Sequence, residues 1–146
     1  MSIRGGGVAA LRDLDELRGL AKKAAQQAYA PYSLLRVGAA LSSAAGCVYT
    51  GCNVENGALP IGGCAERAAI ATAVQAEGAA FRLAAIAVAA FATDGAQLPV
   101  SPCGACRQAL VEFGAEAAVT FRQPDGSWIE VLAGDLLPWR FVMPNR

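Results

Sequence analysis

Helix-like and strand-like segments alternate along this chain, and that alternation limits the folds open to it. Apolar residues recur every three or four positions from Leu11 to Ala28, which predicts an amphipathic helix that ends near Ala30, before Pro31. Two more helices, 64–77 and 105–113, are predicted after breaks that contain Pro or Gly. Five short apolar segments are predicted as strands: 36–43, 47–54, 83–93, 117–122 and 127–132. This order predicts an α/β fold in which a mixed sheet carries helices on both faces.

The size and charge of the chain favour one domain that acts on a small molecule. Its 146 residues are predicted to form a single domain over 1–146, with 1–10 as a flexible tail that lacks the apolar core of a signal peptide. The absence of a signal peptide favours the cytoplasm, and no uninterrupted apolar run reaches membrane-spanning length, so we expect no membrane partner. Lys and Arg together number 12, as do Asp and Glu, and this balance argues against nucleic acid as a partner.

Three of the five cysteines lie in two short motifs, C-A-E-R at 64–67 and P-C-G-A-C-R at 102–107. An odd number of cysteines in a chain expected in the cytoplasm favours metal binding or catalysis over disulfides. Each motif begins a predicted helix, where unpaired N–H groups and the helix dipole stabilise thiolates. If the two helix starts lie side by side, Cys64, Cys103 and Cys106 provide three ligands for Zn²⁺ and leave one position open for water. A redox C-x-x-C is the less favoured alternative, because a second cysteine motif accompanies it.

Charged residues next to these cysteines predict a hydrolytic centre. The chain has no histidine, so Glu66, in the first turn of its helix, is the natural proton carrier for water that attacks an electron-poor carbon. Three thiolates around Zn²⁺ leave excess negative charge, and we expect Arg67, Arg107 or both to offset it by donating hydrogen bonds to the sulfurs. Alternatively, Glu66 only complements the helix dipole, and Arg67 and Arg107 are solvated surface residues.

The motifs together resemble the zinc-dependent cytidine deaminase family in its small, three-cysteine form. The similarity runs from about Leu17 to Phe141 through A-Y-A-P-Y-S, V-G-A-A-L, N-V-E-N, C-A-E-R, S-P-C-G-A-C-R-Q and L-L-P, in the family's order. Three cysteines with a glutamate that is not a ligand are a known pattern of zinc deaminases. The resemblance implies a cytidine-deaminase-like three-layer fold with a five-stranded mixed sheet, one Zn²⁺ per subunit, and a homotetramer whose subunits share active sites. It also implies hydrolysis of cytidine or deoxycytidine to the uridine product and ammonia, as in pyrimidine salvage.

The same resemblance assigns the residues that bind substrate. Asn53 and Glu55, in N-V-E-N, match positions that hold the ribose hydroxyls, and Phe141 lies near a position from which a neighbouring subunit covers the base. The family usually has aromatic residues where this chain has Leu35 and Leu59. We therefore expect Leu35 to contact the base as an aliphatic wall, with stacking weakened by about 1–3 kcal/mol if nothing compensates.

These departures leave alternative functions open. A reshaped pocket could take another aminated nucleoside or heterocycle, as the related blasticidin S deaminase does, although N-V-E-N favours ordinary nucleosides. Cys52 could instead complete a closed four-cysteine zinc site with a structural role, although Cys47 and Cys52 are most simply small buried strand residues. A further alternative is a protein that binds a nucleoside without turning it over.

Overall fold

The computed structural model describes the backbone of residues 6–145 and the side chains of residues 14–145. Within that part three helices flank one sheet: α1 (Gly6–Ala25), α2 (Ala65–Glu77) and α3 (Gly104–Gly114). The strands are β1 (Arg36–Ser43), β2 (Val48–Cys52), β3 (Leu83–Phe91), β4 (Gln97–Leu98), β5 (Ala118–Arg122) and β6 (Trp128–Leu132). The predicted α/β class is confirmed. Of the predicted flexible tail, residues 1–5 lie outside the described residues, and residues 6–10 belong to α1.

The sheet has the order β2-β1-β3-β5-β6, with the two-residue strand β4 paired to β3. The five predicted strands are all present, and the described residues add β4 as a sixth. Two residues are too few to show the alternation by which a strand is recognised in a sequence. β3 and β5 pair in parallel, whereas β1 pairs antiparallel with both β2 and β3. β2 and β3 therefore run in the same direction and end at the same edge of the sheet.

Helix α1 covers one face of the sheet, and small side chains let it come close. Its residues Leu14 and Leu17 pack against Ala40 and Ala87 of the central strands. At Gly38, on β1, an added methyl group would overlap backbone atoms of α1. The small alanine and glycine residues at this contact thus determine how tightly this helix and sheet approach each other.

Helices α2 and α3 cover the opposite face. Ile70 of α2 and Leu110 of α3 join a core cluster with Leu41, Ile86 and Val88, whose side chains alternate with those that face α1. Because β1 and β3 are buried on both faces, they form the middle layer of the three-layer fold that the sequence predicts. In the described part of the chain, no helix combines the length and the apolar composition needed to cross a bilayer.

Helix α1 ends at Ala25, five residues before the predicted end at Ala30. The intervening segment leaves the helix to pair with the chain that follows β2. The Tyr29 N–H donates to the Asn53 carbonyl over 3.1 Å, and the Glu55 N–H donates to the Tyr29 carbonyl over 2.8 Å. This long-range pairing, which the helical pattern does not reveal, brings the A-Y-A-P-Y-S and N-V-E-N motifs into contact.

Candidate active site

The two cysteine motifs meet at the edge of the sheet where β2 and β3 both end. Helix α2 follows β2, and α3 follows β3 and β4, so both helices begin at that edge. Cys64 occupies the N-cap position of α2, and Cys103 occupies the N-cap position of α3. Cys106 lies in the first turn of α3. The three sulfurs lie within 4.8 Å of one another, and those of Cys64 and Cys103 are 3.8 Å apart. The predicted convergence of three sulfurs is therefore present.

The chain before each helix holds these cysteines in place. Val54 and Gly63 exchange backbone hydrogen bonds of 3.0 and 2.9 Å, so Cys64 follows directly from a bridge to the end of β2. On the other side, Pro102 is fully buried just before Cys103. The Pro- and Gly-containing segments from which the helix starts were predicted therefore also hold the N-termini of α2 and α3 against the rest of the fold.

The three-sulfur cluster fits a tetrahedral zinc ion. With a Zn–S bond of about 2.3 Å, tetrahedral geometry separates neighbouring sulfurs by about 3.8 Å. The Cys64–Cys103 separation of 3.8 Å matches this value. Burial raises the pKa of the Cys64 thiol, and burial together with the charge of Glu66 raises the pKa of the Cys106 thiol. The Cys103 thiol differs, because burial acts to raise its pKa but hydrogen bonds with Cys106 and Cys64 lower it.

Cys52 does not join this cluster among the described residues, which leaves three protein ligands and an open fourth position. Cys47 is exposed and Cys52 is half-buried, so the expectation that both are buried strand residues was wrong. Cys52 ends the edge strand β2 and Cys47 lies just before that strand, which explains their exposure.

Glu66 is the buried acid of the site. Only 4% of its surface is exposed, although Glu66 belongs to the wall of a cavity that also includes Cys64 and Cys103. Burial raises the pKa of this carboxyl, while the nearby Arg67 charge acts in the opposite direction. A carboxyl held in such surroundings is suited to take up and give back a proton.

The two arginines have different contacts. Arg67 places its Nη2 atom 4.0 Å from the Cys64 sulfur, as predicted for a residue that offsets thiolate charge. Arg107 donates instead to three oxygens: Pro102 O at 2.8 Å, Leu136 O at 3.1 Å and Ser101 Oγ at 3.3 Å. Among its described contacts none is to a sulfur, so Arg67 is the arginine whose guanidinium lies near a sulfur. Arg107 fastens the loop before α3 to the 3₁₀ turn Ala133–Leu136.

A cavity of about 380 Å³ lies next to the three-sulfur cluster and Glu66. Its walls are largely aliphatic, from Leu35, Val37, Leu59 and Val100, and its polar lining comes from Ser33, Asn53, Glu55, Asn56 and Ser101. A volume of this size suits a nucleoside-sized ligand. The sequence singled out Leu35, Asn53 and Glu55 but missed Ser33, Val37, Val100 and Ser101. Ser33 and Ser101 belong to the P-Y-S and S-P-C motifs, Val37 begins V-G-A-A-L and Val100 directly precedes Ser101, but membership of a motif did not by itself assign them to the cavity.

The side chains of Asn53 and Glu55 both line this cavity, and both also bond to the neighbouring backbone. Asn53 donates from Nδ2 to the Leu35 carbonyl and accepts the Val37 N–H at Oδ1, each over 2.8 Å. Glu55 accepts the N–H groups of Tyr32 and Ser33 at Oε1, over 2.9 and 3.1 Å. Hydrogen bonds from Ser33, and then from Tyr32, lower the pKa of the Glu55 carboxyl.

The hydrophobic residues singled out in the sequence differ in position. Leu35 is half-buried and lies between the cavity and the core, whereas Leu59 lines the cavity with 71% of its surface exposed. Phe141 is 65% exposed and is not part of the cavity wall within the described residues of this subunit.

Comparison with known proteins agrees with this geometry. The family model of the cytidine and deoxycytidylate deaminase zinc-binding region matches residues 12–122. A cytidine deaminase of Sporosarcina psychrophila is 44% identical over 88% of this chain and 91% of its own length. A cytidine deaminase of Mycobacterium tuberculosis is 41% identical over 91% of this chain and 92% of its own.

Solved structures show the same similarity. The crystal structure of cytidine deaminase from Burkholderia pseudomallei superimposes with a TM-score of 0.75 at 42% identity, covering 87% of this chain and 98% of that one. The M. tuberculosis cytidine deaminase structure gives a TM-score of 0.72 at 40% identity, covering 90% of this chain and 98% of that one. From the family match, the relatives and the three-cysteine centre, we conclude that this chain belongs to the cytidine and deoxycytidylate deaminase family.

Proposed function

We propose that this protein hydrolyses cytidine or deoxycytidine to the corresponding uridine nucleoside and ammonia. The observation that carries the proposal is the placement of Glu66, buried at a nucleoside-sized cavity whose wall includes the zinc-ligand pair Cys64 and Cys103. Relatives that share 41–44% identity over most of the chain are named cytidine deaminases, which supports the same activity here.

Each residue of the site has a separate chemical role. Cys64, Cys103 and Cys106 hold Zn²⁺, which when bound supplies a Lewis acid that activates water for attack on an electron-poor carbon. Glu66 carries the protons one at a time: its carboxylate takes one proton from the attacking water and gives it to the ring nitrogen, then takes the second proton from the resulting hydroxyl group and gives it to the departing amine, so that ammonia leaves as the carbonyl forms. Arg67 offsets part of the negative charge of the thiolates.

Polar and aliphatic parts of the cavity bind different parts of the nucleoside. Asn53 and Glu55 hold the sugar hydroxyls; Glu55 can do so with Oε2 while Oε1 accepts two backbone N–H groups. Leu35 and Leu59 contact the base as aliphatic walls. Without an aromatic face at either position, the base is held by shape and burial more than by stacking.

The proposed assembly is a cytoplasmic homotetramer of single-domain subunits that serves pyrimidine salvage, with a nucleoside and no nucleic acid as its partner. Apolar side chains exposed near the C-terminus support contacts between copies: Trp139 is fully exposed, and Phe141, Val142 and Met143 are each more than half exposed. Phe141 of one subunit then covers the base bound in another. Light scattering would detect the assembly, and a monomer in solution would contradict it.

Ammonia release from a panel of compounds tests the proposed function directly. The zinc-loaded protein is incubated with cytidine, deoxycytidine, free cytosine, adenosine and blasticidin S. We expect release from the two cytosine nucleosides and little from the rest. Activity on blasticidin S or another aminated heterocycle alone would support the second candidate, which the aliphatic Leu35 and Leu59 favour. Tight nucleoside binding with no release from any compound would support a binding protein.

A further inference from the structure

The segment Tyr32–Val37, which we call the wall segment, forms one side of the cavity. Ser33, Leu35 and Val37 of this segment all line the cavity, and Leu35 is the residue assigned to the base. Tyr32, Ser33 and Leu34 are exposed, so core packing does little to hold this part of the chain. Something other than burial must determine its shape.

Glu55 anchors the first half of the wall segment. Its Oε1 atom accepts the N–H groups of Tyr32 and Ser33 at 2.9 and 3.1 Å, and the Ser33 hydroxyl in turn accepts the Leu35 N–H at 3.1 Å. Hydrogen bonds to a carboxylate are about twice as strong as those between neutral groups. One charged oxygen thus holds two consecutive residues at the mouth of the cavity.

Asn53 anchors the second half. Its amide donates to the Leu35 carbonyl and accepts the Val37 N–H, each over 2.8 Å, and so reaches both sides of Arg36. In addition, the Asn53 N–H donates to the Val37 carbonyl at 3.1 Å. The carbonyl of Leu35 is therefore held by a side chain that lines the same cavity.

Leu34 lies between the two anchors and has a φ of 61°, in the left-handed region that L residues rarely adopt. Its side chain is 54% exposed, so burial does not compensate for this conformation. Strained backbone persists where surrounding contacts over-determine it, and the hydrogen bonds of Glu55 and Asn53 on either side provide those contacts.

We propose that Glu55 and Asn53 are positioning residues for the base as well as ligands of the sugar, because they determine where Leu35 stands in the cavity. The inference rests on the proposed function and deepens it. One Glu55 carboxylate serves both purposes: Oε1 holds the wall segment, and Oε2, which takes part in none of the described hydrogen bonds, can accept a sugar hydroxyl. Sugar recognition and the shape of the base wall are therefore coupled.

A substrate without sugar hydroxyls separates the two roles. Dideoxycytidine lacks both secondary hydroxyls of the ribose, so a residue that only grips those hydroxyls has no effect on its turnover. We compare zinc-loaded wild type, Glu55→Ala and Glu55→Gln, with Glu130→Ala on the exposed side of β6 as control. Alanine removes the acceptor for Tyr32 and Ser33, whereas glutamine keeps an oxygen acceptor in place. We expect kcat/KM on dideoxycytidine to fall about tenfold in Glu55→Ala and to recover most of that loss in Glu55→Gln.

Amide hydrogen exchange gives a second readout that does not depend on activity. In the zinc-loaded protein without substrate, the Tyr32 and Ser33 amides should exchange at least about tenfold faster in Glu55→Ala than in wild type, with Glu130→Ala unchanged. Equal dideoxycytidine turnover in wild type and Glu55→Ala, or unchanged exchange at these amides, overturns the inference. If wild type deaminates none of the nucleosides, the proposed function fails, and exchange alone then decides whether Glu55 positions the wall segment.

Discussion

The sulfur atoms of Cys64 and Cys103 lie 3.8 Å apart although 39 residues separate them in the chain. Each caps a different helix, and those helices start at one edge of the sheet because β2 and β3 run in the same direction. The metal centre therefore depends on the sheet topology as much as on the cysteines.

Replacing Cys64 by alanine should abolish zinc binding, because the two sulfurs that remain on α3 cannot complete a three-sulfur site. Metal analysis of the purified protein should show about one zinc per wild-type chain and little in Cys64→Ala. Cys52→Ala is the matched control, since Cys52 lies outside the cluster among the described residues. Loss of zinc from Cys52→Ala would support the closed four-cysteine site instead.

Replacing Glu66 by glutamine should stop turnover without releasing zinc. Glutamine has nearly the same shape as glutamate but cannot carry a proton, so kcat on cytidine should fall by at least about 100-fold. Zinc content and the melting temperature, measured on the same samples, should stay close to wild type. Turnover unchanged in a zinc-loaded Glu66→Gln protein would rule out Glu66 as the proton carrier.

Replacing Arg107, which fastens the loop before α3, should lower the stability of the protein more than replacing Arg67. Arg107 makes three hydrogen bonds, two of them to backbone carbonyls, and a lysine cannot reproduce that geometry. We expect Arg107→Lys to lower the free energy of unfolding by about 2 kcal/mol, as measured by urea denaturation of the zinc-loaded protein. Arg67→Lys, at an exposed site, is the control; an equal loss in both variants would contradict the bracing role of Arg107.

Replacing Gly38 by alanine should strongly destabilise the protein. The added methyl group would overlap the backbone of α1 at Ala21 and Ala25, and neither strand nor helix can move away without opening the core. We expect a loss of at least about 2 kcal/mol in the free energy of unfolding. Gly19→Ala is the control, because it lies in α1 with no atom near the added carbon and should raise stability by up to about 1 kcal/mol.

The stability that Glu55 contributes through its hydrogen bonds to the wall segment should depend on pH. Its hydrogen bonds with Ser33 and Tyr32 lower the pKa of its carboxyl below the ordinary value of 4.5. A group whose pKa is lower in the folded state contributes stability above its unfolded pKa and loses it as pH falls through the folded pKa. The melting temperature of wild type should therefore exceed that of Glu55→Gln above about pH 5, and the difference should shrink in more acidic buffer. A difference that grows on acidification would contradict the anchor.

Local patterns were enough to predict most of the helices and strands and the members of the metal site. The strand at 36–43 was predicted with its observed bounds, because its residues are flanked by turns and buried on both faces. The short β4 was missed because two residues are too few to show alternation, and the early end of α1 at Ala25 was missed because it depends on the pairing of Tyr29 with the segment after β2. The same limit applies to Arg107: its position next to Cys106 suggested a sulfur contact, but the fold directs its guanidinium to oxygens.

By itself, the sequence determined which residues can carry the chemistry: three cysteines at helix starts, one acid beside them, and no histidine to compete. It did so because helix capping and metal binding depend on residue type and short spacing. Only the tertiary structure decided how far apart the sulfurs lie, that Glu66 is buried at the cavity, and that Asn53 and Glu55 also hold the wall segment. Those facts arise from pairings between residues far apart in the chain, which no local pattern records.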